Sequence, residues 1–137
     1  MSDCIFCRIL AGEIPSFRIY EDEATFAFMD INPVSQGHLL VIPKKHFANL
    51  WDSDPEALGH VMATAKRVAI VLRDALGVDS MNLLQANGRW AVQTVEHFHL
   101  HLIPRYQNDN LGLDWALTEG NMKEIKQVAN LLEDKLK

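Results

Sequence analysis

Apolar positions recur along the chain with two periods, and the points where one gives way to the other predict the elements. Ile5, Phe6, Ile9 and Leu10 stand at helical spacing and Gly12 suits a helix stop, so the segment Cys4 to Leu10 reads as a short helix. Pro15 marks a turn before the run Phe17-Arg18-Ile19-Tyr20. Glu21-Asp22-Glu23 then reads as a turn, and Ala24 to Met29 is rich in strand formers. Asp30 to Gly37 is a loop, and His38 to Ile42 reads as a buried strand ended by Pro43. A long helix is predicted from near Ser53, with Ser53 and Glu56 as a capping box and Pro55 in its first turn. Leu58, Val61, Met62, Ala65, Val68, Ala69, Leu72 and Leu76 make one apolar stripe along it, and Gly77 is the stop. A strand over Ser80 to Ala86, a loop over Asn87 to Val92 and a strand from Val95 to Ile103 ended by Pro104 follow. Tyr106 to Gly120 is irregular, and Asn121, with Glu124 three residues on, caps a last helix carrying Ile125, Val128, Leu132 and Leu136.

Short turns between the early strands favour antiparallel pairing, and only one long crossover is present. The expected class is α+β, with an antiparallel sheet, one long helix and short terminal helices. No repeat, low-complexity tract or linker divides the sequence, so residues 1–137 read as a single domain.

Composition narrows the function classes. The 137 residues are 48% apolar with a net charge of −5, which suits a folded chain and gives no general attraction to nucleic acid or anionic lipid. No apolar run approaches a membrane span, and Met1-Ser2-Asp3-Cys4 does not read as a signal peptide. The expectation is a cytoplasmic protein with neither membrane nor nucleic acid as partner. Two cysteines against six histidines is the unusual count.

Three of those histidines alternate in His97-Phe98-His99-Leu100-His101-Leu102-Ile103. On a strand, period two puts His97, His99 and His101 on one face and Phe98, Leu100 and Leu102 on the other. A surface strand with incidental histidines is the plain reading, and a three-histidine metal site is the sharper one. Geometry limits the metal site. At ~3.3 Å per residue the outer Cα atoms lie about 13 Å apart, against metal–nitrogen bonds of about 2.0–2.1 Å. At least one imidazole is then available for chemistry. A neutral imidazole near pH 7 is a competent nucleophile toward phosphorus, and a neighbouring one can stabilise charge on the phosphoryl oxygens.

Gln93-Thr94-Val95-Glu96-His97-Phe98-His99-Leu100-His101-Leu102-Ile103-Pro104-Arg105 resembles the signature of the histidine triad (HIT) family. Cys4-Ile5-Phe6-Cys7-Arg8-Ile9, Phe28-Met29-Asp30-Ile31-Asn32-Pro33 and Gly37 to His46 extend the resemblance over residues 4–105, leaving 106–137 as a C-terminal loop and helix. The family comprises nucleotidyl hydrolases and transferases acting at the α-phosphate. The resemblance implies that His99 forms a nucleotidyl-histidine intermediate, His101 assists at the phosphate oxygens, and His97 is the triad's first member. It also implies a hydroxyl near the phosphate at Thr94 and phosphate-side amides at Asn87 and Gln93. Asp30 would bind the ribose hydroxyls, a role in which one carboxylate can accept from both. Ile5, Phe6, Ile9, Phe28 and Ile31 would form the purine pocket, although ordinary core explains each of them as well. The substrate implied is a purine nucleotide with an AMP moiety, either a phosphoramidate or a dinucleoside polyphosphate, and a homodimer is implied as well.

One departure stands out. The loop before the triad, usually small and Gly-rich, reads Asn87-Gly88-Arg89-Trp90-Ala91-Val92-Gln93, with Val92 in place of the expected Gly. A β-branched residue is costly at positive φ, so either the loop conformation or the leaving-group side of the pocket differs.

Cys4-Ile5-Phe6-Cys7 allows three readings: a redox motif, which lacks the usual βαβ context; a disulfide, disfavoured in a reducing compartment; and half of a zinc site. The resemblance to the zinc-bearing branch of the family nominates His46 and His97 as the other ligands, with one structural zinc per chain. His38 and His60 receive no role. Two other functions stay open: a zinc-stabilised nucleotide-binding module with weak catalysis, and a His-metal hydrolase.

Overall fold

The computed structural model describes residues 3–112 and 115–137. Met1 and Ser2, read above for a leader, lie outside the described residues, as do Leu113 and Asp114 within the irregular segment. The elements in chain order are α1 (Ile5–Leu10), β1 (Arg18–Glu21), β2 (Thr25–Met29), β3 (Leu39–Pro43), α2 (Pro55–Leu76), β4 (Met81–Leu84), a 3₁₀ turn (Arg89–Ala91), β5 (Leu100–Pro104) and α3 (Met122–Leu136). Five strands form one antiparallel sheet in the order β1-β2-β3-β5-β4, which is the α+β class expected.

β3 is buried on both faces, because each face of the sheet carries its own core. On one side Leu39, Val41, Leu100 and Leu102 pack with Ala57, Val61, Ala65 and Val68 of α2. On the other Leu40, Ile42, Phe26 and Phe28 pack with Phe6 of α1. Period two along β3 therefore sends alternate residues to α2 and to α1. Pro43 is the last residue of β3, where the strand ends. β5 pairs only with Leu39 to Val41, so the proline's missing N–H faces no partner strand.

α2 departs from its predicted stripe. Ala57, Val61, Thr64, Ala65 and Val68 are buried, whereas Met62 is 53% exposed and Leu76 38%. Thr64 is tolerated inside because its hydroxyl lies 2.7 Å from that of Thr25, which donates to Asp22 Oδ1. The capping box does not form. Asp54 is the N-cap without a side-chain bond, and the Ser53 hydroxyl donates to the Leu50 carbonyl instead. Gly77 does end the helix, in the left-handed conformation at φ 66° that glycine adopts without a Cβ clash.

The largest difference concerns the triad segment. β5 begins only at Leu100, so His97 and His99 precede the strand on an irregular approach. Their backbone and ring atoms are committed elsewhere: Phe98 N donates to the Phe47 carbonyl and His99 Nδ1 to the His97 carbonyl. Alternation survives nonetheless, with Phe98, Leu100 and Leu102 in the α2-side core. At the C-terminus Asn121 caps α3 through the Glu124 N–H, and α3 contains no buried residue. Among the described residues no helix is long and apolar enough to cross a membrane.

Candidate active site

α1, the end of β2 and the approach to β5 enclose a pocket of about 330 Å³, within the range of small-molecule sites. Ile5, Phe6, Ile9, Phe28, Asp30, Ile31, Thr94, His99 and His101 all line it. Ile14, Pro15 and Ser16 complete its wall and were not anticipated, since nothing in their pattern distinguishes them from a connecting turn. Ile31 is 75% exposed, so it is a rim residue rather than core. Phe6 packs edge-on against Phe28 at 5.4 Å and against the His99 ring at 5.2 Å.

Hydrogen bonds to backbone carbonyls fix the tautomers of His99 and His97. His99 Nδ1 lies 2.7 Å from the His97 carbonyl, which can only accept, so Nδ1 carries the proton and the neutral ring keeps its lone pair on Nε2. Burial holds the His99 pKa below its ordinary value and so favours this neutral form, while that carbonyl bond opposes the shift. His97 is fixed in the opposite sense. Its Nε2 lies 2.9 Å from the Pro43 carbonyl, which leaves the Nδ1 lone pair directed at Cys4 Sγ (3.4 Å), Cys7 Sγ (3.6 Å) and His46 Nδ1 (3.0 Å). Burial lowers the His97 pKa to about 4, with the Pro43 carbonyl opposing and His46 adding to the shift.

His38 is a site residue that sequence reasoning missed. It is 3% exposed, and its Nδ1 accepts from the Val34 backbone N–H at 3.1 Å. Its proton must then sit on Nε2, 2.9 Å from His101 Nδ1, so His101 accepts there and presents Nε2–H. Burial pushes His38 down, against the pull of Asp30, and burial together with His99 and His38 pushes His101 to about 4. Asp30, His38 and His101 lie close enough together to suggest a metal cluster. The Val34 N–H argues against it, because His38 then has no lone pair on the side facing the other two.

Asp30 Oδ1 accepts from Asn32 N–H at 2.7 Å, and Oδ2 lies 3.5 Å from His38 Nε2. Asn87 and Gln93 are not brought to the pocket wall. Asn87 Oδ1 accepts from Leu50 N–H at 2.7 Å. Gln93 Nε2 donates to the Ala48 and Val95 carbonyls, and its Oε1 accepts from Gly88 N–H. Together they brace the 87–93 loop against the 48–50 turn. Val92 adopts the left-handed conformation at φ 64°, ψ 40°, so the loop takes the backbone shape a glycine would favour and valine bears the strain. Thr94 is exposed at the mouth.

Cys4, Cys7, His46 and His97 offer four ligand atoms that all lie within 4.8 Å of one another. α1 delivers both cysteines from one turn, since Cys4 is its N-cap. They come together beside, not inside, the pocket, with Phe6 between the two sites.

Comparison with known proteins agrees with this arrangement. The chain is 43% identical over 137 residues to Protein hit of Bacillus subtilis, covering 98% of this chain and 94% of that one. It is 42% identical over 134 residues to adenosine 5'-monophosphoramidase HNT1 of Saccharomyces cerevisiae, covering 97% and 82%. Among solved structures, a HIT family protein from Bacillus anthracis superposes with a TM-score of 0.91 at 38% identity, covering 99% of each chain. A Zn-bound histidine triad family protein from Mycobacterium smegmatis does so at 0.76 and 36%, covering 98% of each. The HIT domain profile matches residues 11–108, a span containing the ordered histidines, Asp30 and the sheet that positions them, and on that footing the chain belongs to the HIT domain family.

Proposed function

We propose that the protein hydrolyses an AMP-containing substrate, an adenosine 5'-phosphoramidate in the first instance, through a nucleotidyl intermediate on His99. The observation that carries this reading is the His99 ring: its Nδ1 proton is tied to the His97 carbonyl, leaving the Nε2 lone pair for the pocket. The purine would lie among Ile5, Phe6, Ile9, Phe28 and Ile31, with its ribose hydroxyls on Asp30. His99 Nε2 attacks the α-phosphorus and the phosphorus–nitrogen bond to the leaving group breaks, the departing amine taking a proton from solvent. His101 Nε2–H, set by His38, donates to a phosphoryl oxygen, where charge develops. Water then attacks phosphorus, the bond to His99 breaks, AMP leaves and one proton returns to solvent. Thr94, exposed on the pocket lining, would serve the leaving-group side, beside the 87–93 loop that Gln93 braces. The yeast relative's name supports the phosphoramidate over the dinucleoside polyphosphate.

Cys4, Cys7, His46 and His97 would hold one structural zinc per chain. A tetrahedral zinc with bonds of about 2.3 Å to sulfur and about 2.0–2.1 Å to nitrogen has ligand–ligand edges of roughly 3.3–3.8 Å. The 3.0–3.6 Å contacts among these atoms are close to those edges. Bound there, zinc supplies a cross-link between α1 and the triad segment and no part of the reaction.

The test is acid quenching during turnover of adenosine 5'-phosphoramidate, followed by intact-protein mass spectrometry. The expected result is an AMP adduct that maps to His99. Turnover with no adduct in wild type, or an undiminished rate in His99→Ala, overturns the mechanism.

A further inference from the structure

The 31–37 loop packs little against the rest of the molecule. Ile31, Asn32, Pro33, Val34 and Gln36 are all exposed, yet the Val34 N–H supplies the hydrogen bond on which the His38 tautomer depends. Backbone bonds close the base of the loop: Asp30 N–H donates to the His38 carbonyl at 3.1 Å, and His38 N–H to the Ser35 carbonyl at 3.2 Å. Two side chains hold its tip. Ser35 Oγ donates to the Pro104 carbonyl at 2.8 Å, and the Tyr106 hydroxyl to the Gln36 carbonyl at 2.7 Å. Pro104 ends β5, and it lies beyond Leu102, where the pairing of β5 with β3 stops. Ser35 therefore ties the loop to the strand that carries His101, past the point where the two strands hold each other.

What depends on this tie is one proton. His38 Nε2 and His101 Nδ1 lie 2.9 Å apart, so only one of the two nitrogens can carry hydrogen. The neutral pair then has two arrangements. In the first, each ring is protonated on Nε2, and His101 turns an N–H toward the pocket. In the second, each ring is protonated on Nδ1, and His101 turns a lone pair toward the pocket. The Val34 N–H excludes the second, because two donors would then meet at 3.1 Å. We infer that Ser35 is a positioning residue: its bond to Pro104 keeps the Val34 N–H on His38, and so keeps a proton on the side of His101 that meets the phosphoryl oxygens. The inference rests on the proposed nucleotide chemistry. Ser35 is not on the pocket wall and acts through Val34, His38 and His101 in turn.

The experiment records proton–nitrogen correlation spectra of the histidine rings at about pH 7.5, where unperturbed imidazole is mostly neutral. It adds kcat for adenosine 5'-phosphoramidate and AMP affinity by calorimetry, in wild type, Ser35→Ala and Ser35→Thr. Wild type is expected to show His38 protonated on Nε2 alone. In Ser35→Ala the Nε2-protonated fraction of His38 and kcat should fall together by roughly 3–10-fold, the change that one lost hydrogen bond brings, with a smaller change in AMP affinity. Ser35→Thr, which keeps the hydroxyl, should hold both readouts within about twofold of wild type. A His38 that stays wholly Nε2-protonated in Ser35→Ala overturns the inference whatever happens to kcat, because the serine is then only structural. Mixed tautomers with an unchanged kcat also overturn it, as do an equal loss in Ser35→Thr and a loss of AMP affinity as large as that of kcat. Wild type that neither binds AMP nor turns over the phosphoramidate fails differently: it removes the nucleotide reading, while the ring spectra still judge the tie between Ser35 and His38.

Discussion

His97 and His99 are two residues apart, both buried and chemically identical, yet the fold fixes their rings in opposite senses. His97 ties Nε2 to the Pro43 carbonyl and turns Nδ1 toward two cysteines and His46. His99 ties Nδ1 to the His97 carbonyl and keeps Nε2 for the pocket. The ring nitrogen held by a carbonyl decides whether the imidazole acts as a ligand or as a nucleophile. In the proposed function, two backbone carbonyls, neither visible as a motif, divide the triad's labour.

The most severe way to break the contrast is to remove the proposed nucleophile. His99→Ala is expected to lower turnover of adenosine 5'-phosphoramidate by at least about a thousandfold while AMP binding changes by less than about tenfold, as read by steady-state kinetics and AMP titration. The opposite arm is His97's cluster. Cys7→Ser should take metal content from about one zinc per chain to a small fraction of that, and lower Tm by roughly 5–15 °C. Elemental analysis and calorimetry check this, and zinc retained at wild-type stoichiometry would remove the ligand assignment.

His38 sharpens the comparison by one further ring. With His38→Ala, His101 loses the donor that fixes its tautomer, and turnover is expected to fall about 10–100-fold with AMP affinity nearly unchanged. An equal loss in kcat and in AMP binding would instead indicate collapse of the pocket. The smallest effect is on stability. His38 and His101 have pKa values lowered by burial, His101 to about 4, against about 6.5 when unfolded. The unfolded chain therefore takes up protons first as pH falls. The neutral rings contribute stability that is complete above about pH 6.5 and is lost progressively down to about pH 4, on the order of 1–3 kcal/mol. Urea melts at pH 7.5, 5.5 and 4.5 should show this slope, flattened in His101→Asn.

Periodicity made much of the fold legible. The apolar run of β3 and the stripe on α2 named Leu39, Leu40, Val41, Ile42, Val61, Ala65 and Val68 of the core, and Gly77 marked its helix end because only backbone conformation was at stake there. What stayed hidden depended on partners remote in sequence. Ser53 lost its capping role to the Leu50 carbonyl, and the triad lost its first strand residues to Phe47 and to its own carbonyl. His38 carried no signal because its role depends on Val34 N–H and His101, one from a turn and one from another strand. Ser16 was equally silent, since only the tertiary fold brings its turn to the pocket. Val92 was read as an obstacle to the loop's conformation. The loop accepts the strain because Gln93 holds it at both ends.

α3 has a different kind of consequence. A 15-residue helix that buries none of its side chains gains little beyond its own backbone bonds and its Asn121 cap. In the single chain its amides should exchange with solvent deuterium close to the rate of an isolated peptide. Those of Ala27 and Val41, at the centre of the sheet, should wait for global unfolding. The protein would then have two clocks, one for its C-terminal helix and one for everything that holds the histidines.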